Sequence, residues 1–235
     1  MNEIERLKRQ AAERAVEFVE DGMVIGLGTG STVRHVIEIL AERRKQGVLR
    51  NVIGIPTSRA TDWLARDLGL RLSALEEEPR VDLTIDGADE VDPHLNLIKG
   101  MGGALLWEKI VASNSEQFIV VVDEGKLVRR LGERVPMPLE VVPFGWNTQL
   151  SWLDHLGAEP LLRLAANGSP FVTDSGHFII DCHFREGIAE PNRIQREVKQ
   201  RPGVVDSGLF LGLVDAVVVG GVDGPRVVRA EPSPR

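Results

Sequence analysis

The stretch VDLTIDGADEVDPHLNLIKGMGGALLWEKI, residues 81–110, combines a predicted strand, an acidic turn, a glycine turn and a helix. Residues 81–85 are β-prone and partly alternating, and they stop at the Asp86-Gly87 turn signal. We therefore expect Asp86 at the carboxyl end of a strand, the edge of an open α/β sheet where ligands bind. Asp89 is near enough in sequence to share that crevice. A solvated acidic turn is the alternative.

The second half of the stretch carries a lysine, a glycine turn and a helix. KGMGG, residues 99–103, contains glycines that permit positive φ and a close approach of the backbone to a ligand. Residues 104–112 predict a helix, because alanine and leucine favour helices and the apolar side chains can face a core. Glu108 and Lys109 are adjacent and oppositely charged. A solvated helix face explains this pair as well as a functional role does.

A second glycine loop, GTGST at residues 28–32, lies between a predicted buried strand at 23–27 and a helix at 33–44. Converging backbone N–H groups and a helix N-terminus form a phosphate cradle. A dinucleotide fingerprint would need glycine at Ser31 and a Walker loop would need lysine at Gly30, so NAD and ATP are not expected. Thr29, Ser31 and Thr32 supply hydroxyl donors for one small phosphate. A capping hydroxyl would explain Ser31 or Thr32, but not the whole loop.

Composition excludes several classes of function. The chain has 235 residues and a net charge of −7 with scattered basic residues, which argues against nucleic acid as a partner. No apolar run is long enough to span a membrane, and the charged N-terminus does not resemble a signal peptide, so we expect a cytoplasmic protein. Cys182 and its neighbours lack metal-ligand spacing, and no metal is expected. The proline-containing tail, residues 230–235, is expected to fray.

The other patterns predict an α/β domain interrupted by a smaller one. The first part contains helices at 3–19 and 57–68 and strands at 51–55, 70–75 and 118–122, and Lys126 in the turn after the last strand can join the same crevice. Prolines 136 and 138 bar an ordinary helix or central strand and mark a boundary. An α+β segment follows, with helices at 145–156 and 191–199 and strands at 161–164, 171–173 and 178–182. Residues 216–219 form an apolar strand that we expect to rejoin the first sheet.

Six sequence blocks together resemble the ribose-5-phosphate isomerase family of the A type. They are GLGTGST (26–32), DGADEVD (86–92), KGMGGALLWEKIVA (99–112), VVDEGK (121–126), PMPLEVVP (136–143) and GLFLGLVDAVVVGGVDG (208–224). They span most of the chain in the family's order and are highly specific as a set. The resemblance implies a Rossmann-like, mostly parallel sheet with helices on both faces, residues 1–134 and 208–229. It also implies a smaller ferredoxin-like α+β domain at 135–207.

The resemblance further implies interconversion of ribose 5-phosphate and ribulose 5-phosphate in the non-oxidative pentose phosphate pathway, without a metal or organic cofactor. Glu108 falls on the family's proton acceptor, and Lys8 aligns with a lysine near the phosphate. Met101 departs from the pattern, since the family usually has glycine there. The remaining matches fall on substrate-binding positions: Thr29, Gly30, Ser31, Thr32, Asp86, Gly87, Ala88, Asp89, Lys99, Gly100, Met101, Gly102 and Lys126.

An aldose–ketose isomerisation needs a base, stabilisation of an oxyanion and exclusion of water. We expect Glu108 to be the base. Lys99 and the amides of the loop at 99–103 are expected to stabilise the negative oxygen, and Asp86 and Asp89 to bind the sugar hydroxyls. Asp86 is favoured for ring opening on the resemblance. The alternatives are a non-catalytic sugar-phosphate sensor and an amino-sugar phosphate deaminase or lactonase. We also expect a homodimer or homotetramer.

Overall fold

The computed structural model describes residues 3–229, so the tail at 230–235 lies outside the described residues. The chain packs as two compact units. The first contains the chain up to Ala88, Trp107–Lys126 and the segment from Leu213 onward. The second contains Asp89–Leu106 and Leu127–Gly212. Residues 89–106, 127–134 and 208–212, which the prediction assigns to the larger domain, pack in the second unit. The domain boundaries at 134/135 and 207/208 stay a prediction.

The helices and strands are numbered in chain order. The helices are α1 (Glu3–Val16), α2 (Ser31–Lys45), α3 (Arg59–Asp67), α4 (Leu105–Ser113), α5 (Thr148–His155) and α6 (Pro191–Lys199). The strands are β1 (Val24–Leu27), β2 (Ile53–Pro56), β3 (Val81–Asp86), β4 (Glu90–Val91), β5 (Leu97–Ile98), β6 (Ser115–Asp123), β7 (Met137–Val141), β8 (Glu159–Leu162), β9 (Phe178–His183), β10 (Val204–Ser207), β11 (Leu209–Phe210), β12 (Ala216–Gly220) and β13 (Arg226–Arg229).

The first unit is built on a six-stranded sheet in the order β13-β12-β6-β3-β1-β2. All neighbouring pairs are parallel except β12 with the edge strand β13. The chain leaves β1 toward β2 on one side and later returns to β3 on the other. The strand order therefore reverses between β1 and β3, which is where open α/β sheets bind ligands. The predicted α/β class with a mostly parallel sheet is confirmed, as is the return of the strand at 216–219 to this sheet.

Helices cover both faces of this sheet. Helices α1, α2 and α3 bury apolar side chains against the face that carries Ile25, Leu83 and Ile119. On the opposite face, a β-carbon added to Gly26 would lie 2.7 Å from Cγ1 of Val111 on α4. Glycine at position 26 therefore lets α4 approach β1 closely.

The second unit contains two small sheets and two helices. One sheet has the order β10-β7-β9-β8 with antiparallel pairs, and the other has the order β11-β5-β4. Helices α5 and α6 contribute Leu153, Ile194 and Val198 to a core shared with β7 and β9. The unit is α+β, as the sequence predicts for most of it.

The prolines do not have the predicted effect on the second unit. Pro138 lies inside β7, which is a central strand, so the expectation that the prolines bar such a strand is wrong. The carbonyl oxygen of Pro138 accepts from the N–H of Gly208 at 2.7 Å, and the carbonyl of Gly208 accepts instead from the N–H of Lys99 at 2.9 Å. Because Lys99 supplies that donor, the N–H that proline lacks is not needed there.

Other differences concern short or boundary segments. The strand predicted at 70–75 is reduced to one isolated bridge between Gly54 and Leu72. The segment predicted as a strand at 171–173 likewise makes an isolated bridge, between Val172 and Phe178. The first helix ends at Val16 rather than at residue 19. Strand propensity depends on packing against neighbouring strands, so a short β-prone segment need not extend beyond a single bridge.

Candidate active site

The loops after β1, β3 and β6 lie side by side in the first unit. These strands are parallel neighbours, so their carboxyl ends meet at one edge of the sheet. GTGST follows β1, Asp86 ends β3, and Lys126 lies in the 3₁₀ turn Glu124–Lys126 that follows β6. Three of the predicted groups are therefore brought to the same edge of the sheet, and GTGST and Asp86 follow the two strands between which the strand order reverses.

Asp86 is fully buried and organises this edge. Its Oδ1 accepts from the backbone N–H of Thr29 at 3.1 Å and of Gly87 at 2.7 Å. A β-carbon at position 28 would lie 2.1 Å from the same oxygen, so only glycine lets the loop reach the carboxylate. The alternative of a solvated acidic turn does not hold for Asp86.

The hydroxyl of Thr29 is engaged inside the protein. Thr29 Oγ1 donates to Ser58 Oγ at 2.8 Å and lies 2.9 Å from Thr57 Oγ1. Thr61 closes the cluster by donating to the carbonyl of Gly28 at 2.8 Å. This group of hydroxyls fixes the shape of the loop, and Thr57, Ser58 and Thr61 were not among the predicted site residues. The signal was the Thr-Ser pair at the end of β2, directly before α3.

Ser31 and Gly30 form the outer part of the loop, at the start of α2. Gly30 is the N-cap with φ 125°, and no side chain caps this helix. The alternative that Ser31 or Thr32 serves as a capping hydroxyl is therefore wrong. Ser31 Oγ accepts instead from Lys8 Nζ at 3.0 Å, which brings the predicted lysine to the predicted phosphate loop. An exposed helix N-terminus beside a lysine is a suitable place for an anion.

Lys8 is held in place by Glu5, which is in turn bonded to His35. Its Nζ also donates to Glu5 Oε1 at 2.9 Å, and His35 Nε2 lies 2.9 Å from Glu5 Oε2. The hydrogen bond from Lys8, followed by that from His35, lowers the pKa of Glu5. Glu5 thus stays ionised and orients the ammonium group of Lys8.

Glu108 and Lys109 are buried on α4, with exposed fractions of 4% and 7%. The alternative of a solvated helix face is therefore wrong for both. Helix α4 leads into β6, which is parallel to β3, so the helix runs back along the sheet and its first turn lies nearest the carboxyl edge. Glu108 is in that turn, three residues before Val111, which packs on the sheet. A buried carboxylate at this edge can accept a proton in a water-poor environment.

The glycine loop KGMGG, residues 99–103, belongs to the second unit. Asp89 Oδ2 accepts from the N–H of Met101 at 3.0 Å, so the structure joins two of the predicted residues. Gly100 and Gly103 have φ of 104° and 80°, which glycine adopts without strain. Met101 has no positive φ, because Leu95 is the one non-glycine residue with positive φ among those described. The departure from glycine at Met101 is thus compatible with the backbone, and Gly102 follows in open space.

Lys99 is 2% exposed and lies on the same loop. Its N–H donates to the carbonyl of Gly208, and its Nζ lies 5.6 Å from the ring centroid of Phe210. A β-carbon on Gly208 would come within 2.2 Å of the Lys99 carbonyl oxygen. Glycine at 208 therefore allows β11 to hold the backbone of Lys99 closely.

The remaining acids of the run at 86–92 hold the second unit together. Buried Glu90 accepts from the N–H groups of Gly132, Arg134 and Val135 at 2.6–2.9 Å. Asp92 accepts from the N–H groups of His94 and Asn96. Only Asp86 and Asp89 of this run therefore remain as site candidates.

Comparison with known proteins identifies the family. The family "Ribose 5-phosphate isomerase A (phosphoriboisomerase A)" matches residues 53–224. Ribose-5-phosphate isomerase A of Roseiflexus castenholzii is 52% identical over 92% of this chain and 92% of its own. That of Gloeobacter violaceus is 51% identical over 99% and 100%. A solved D-ribose-5-phosphate isomerase in complex with phospho-erythronic acid superposes with a TM-score of 0.94, at 42% identity over 97% of this chain and 100% of that one.

These matches support the isomerase interpretation rather than the sensor or deaminase alternatives. They extend over both units, and they include the segments that carry Asp86, Lys99 and Glu108. The chain belongs to the ribose 5-phosphate isomerase A family.

Proposed function

We propose that the buried carboxylates and the phosphate loop of this chain carry out the reaction of its family. As a member of that family the chain is an aldose–ketose isomerase, which interconverts ribose 5-phosphate and ribulose 5-phosphate in the pentose phosphate pathway. The observation that carries the proposal is the meeting of GTGST and Asp86 at the point where the strand order reverses, with Lys126 after the next strand of the same edge. The N-terminus of α2, with Lys8 bonded to Ser31, supplies the positive charge that a sugar phosphate needs.

The chemistry is divided among the side chains as follows. Glu108 removes the proton from C2 and returns it to C1, because a buried carboxylate is a suitable general base. Lys99, with the amides of the glycine loop, stabilises the enediolate oxygen. Asp86 and Asp89 bind the sugar hydroxyls, and Asp86 assists opening of the ring. The other binding positions are Thr29, Gly30, Thr32, Gly87, Ala88, Gly100, Met101 and Gly102.

The test of function uses the purified chain and ribose 5-phosphate. Formation of ribulose 5-phosphate, followed by NMR, is the expected result. Phospho-erythronic acid should compete, because its planar carboxylate has the two-oxygen geometry of an enediolate and analogues of reactive intermediates bind tightly. Absence of turnover with a folded protein would refute the proposal.

Ser31→Ala should weaken substrate binding more than it slows the chemistry. Loss of one charge-assisted hydrogen bond to phosphate costs about 1–3 kcal/mol, which appears as a higher KM. Inorganic phosphate should inhibit the wild type weakly and the variant less. The matched control is Ser73→Ala, which removes a hydroxyl that bonds to the Glu77 side chain. A Ser31→Ala variant with wild-type KM and reduced kcat would show that the loop does not bind the phosphate.

The activity should not depend on a metal ion. Within residues 3–229, no group of three or more His, Cys, Asp or Glu side chains is arranged to hold one. Lys99 and loop amides are proposed to supply the charge that a metal would otherwise provide. Full turnover is expected after dialysis against EDTA. Loss of activity that one divalent ion restores would contradict this expectation.

We also propose a cytoplasmic location and assembly as a homodimer or homotetramer. No helix among the described residues has the length and apolar character to cross a membrane. The net charge of −7 favours neither nucleic acid nor an anionic membrane surface as a partner. Light scattering of the purified chain would measure its mass in solution.

A further inference from the structure

Arg163 holds the glycine loop of the second unit by its carbonyl groups. Its Nη1 donates to the carbonyl oxygens of Gly100 at 2.8 Å and Met101 at 3.1 Å. Arg163 follows β8, and its own N–H is fixed to the carbonyl of Ile179 on β9 at 2.8 Å. One side chain beside the four-stranded sheet therefore holds two successive peptide groups of the loop at 99–103.

The guanidinium group is itself firmly placed. Nε and Nη2 donate to the two carboxylate oxygens of Asp181, and the side chains of Arg163 and Asp181 are only 11% and 15% exposed. Its carbon lies 5.8 Å from the ring centroid of Phe171. That ring also packs on the loop, since a β-carbon on Gly103 would be 2.5 Å from it. A paired and stacked guanidinium group has little freedom to move.

These contacts set the direction in which the loop amides point. In a trans peptide the C=O and the following N–H point to opposite sides, and the described residues contain no cis peptide bond. With the Gly100 carbonyl turned to Arg163, the N–H of Met101 is directed away and donates to Asp89 Oδ2. Because the Met101 carbonyl is turned to Arg163, the N–H of Gly102 is likewise directed away from Arg163.

We propose that Arg163 is a positioning residue for the isomerisation, which acts through the loop and does not touch the substrate. It fixes the peptide groups of Gly100 and Met101, and the Gly100 carbonyl also accepts from the N–H of Gly103 at 3.0 Å. The N–H of Gly102 and the adjacent Lys99 are thereby held ready for the developing oxyanion. The inference rests on the proposed role of the loop. Arginine suits this role because its planar fork binds Asp181 with one edge and the carbonyl groups with another, whereas a single ammonium group can make only part of these contacts.

Arg163→Gln should lower kcat by about 10- to 100-fold, because small displacements of preorganised groups have effects of this size. KM and the inhibition constant for inorganic phosphate should stay near the wild-type values, since the phosphate is assigned to GTGST in the first unit. Arg163→Lys should recover part of the loss. The matched control is Arg185→Gln. The Arg185 side chain is 88% exposed and pairs with Glu159 on β8, the strand that precedes Arg163. This variant should leave kcat unchanged.

Two further measurements separate positioning from general destabilisation. Free guanidinium ion at low millimolar concentration should restore part of the kcat of Arg163→Ala and should not affect Arg185→Ala. Asp181→Asn, which leaves the arginine but weakens its anchor, should lower kcat less than Arg163→Gln, and the double variant should be no slower than Arg163→Gln alone.

The inference is overturned if Arg163→Gln keeps wild-type kcat. It is also overturned if the variant loses phosphate affinity and kcat together without rescue by guanidinium or by lysine. If Arg163→Gln does not fold, the Arg163→Lys and Asp181→Asn variants decide the question. Each should lower kcat and leave KM near the wild-type value. An inactive wild type would instead refute the proposed function, so the two failures are distinguishable.

Discussion

Glu108→Gln is expected to fold and bind ribose 5-phosphate while turnover falls by about 10²–10⁴-fold, the contribution of a positioned general base. Glutamine keeps the shape of the side chain and cannot accept the C2 proton. Because Glu108 is 4% exposed, water cannot easily take its place as base. KM should change little, since the phosphate loop supplies most of the binding.

Exchange of the carbon-bound hydrogen with deuterium oxide provides a second measurement. It should fall in parallel with turnover, because both pass through the same enediolate. Glu20→Gln serves as the control, since this exposed glutamate lies between α1 and β1 and carries no proposed role. Near wild-type turnover and exchange in a folded Glu108→Gln variant would exclude Glu108 as the base and direct the search to Asp86 and Asp89.

Lys99→Met should lower kcat by about 10²–10³-fold, which is typical for loss of one group that stabilises an oxyanion. Methionine approximates the apolar stem of lysine and fills the same buried space beside Phe210. Removing one member of a buried charge interaction can lower stability, so retention of the fold is measured together with turnover. The effect should appear in kcat rather than in KM, because the enediolate carries more negative charge than the substrate.

The matched control for Lys99→Met is Lys45→Met, which removes an exposed charge at the end of α2. Circular dichroism and thermal unfolding of both variants show whether the fold is retained. A folded Lys99→Met protein with wild-type kcat would show that the glycine-loop amides, or another cation, stabilise the oxyanion without Lys99.

Much of the first unit was predictable from the sequence. The strand, glycine loop and helix around GTGST were predicted because buried strands and helix starts carry strong local patterns. The aspartate at the end of β3 and the lysine after β6 were predicted at one edge for the same reason. The family resemblance then assigned roles to Glu108, Asp86 and Lys99, which periodicity could not do.

The second unit was less predictable. Strand β10 depends on a partner strand, β7, far away in sequence, and Pro138 was predicted to exclude the central strand that it occupies. A proline is unfavourable there only when its missing N–H is needed. Whether it is needed depends on Gly208 and Lys99, which no local pattern includes.

The sequence alone determined most helices and strands of the first unit and the candidate phosphate loop, because turn glycines, apolar periodicity and motif spacing are local properties. The candidate reactive groups came from the family resemblance. The tertiary structure decided which polar groups are buried and what they contact. It buried Glu108 and Lys109, engaged the hydroxyl of Thr29 inside the protein, and gave Glu90 three backbone donors. It also brought Arg163 to the carbonyls of a loop some sixty residues earlier in the chain. Burial and hydrogen bonding of this kind arise from segments that meet only when the chain folds.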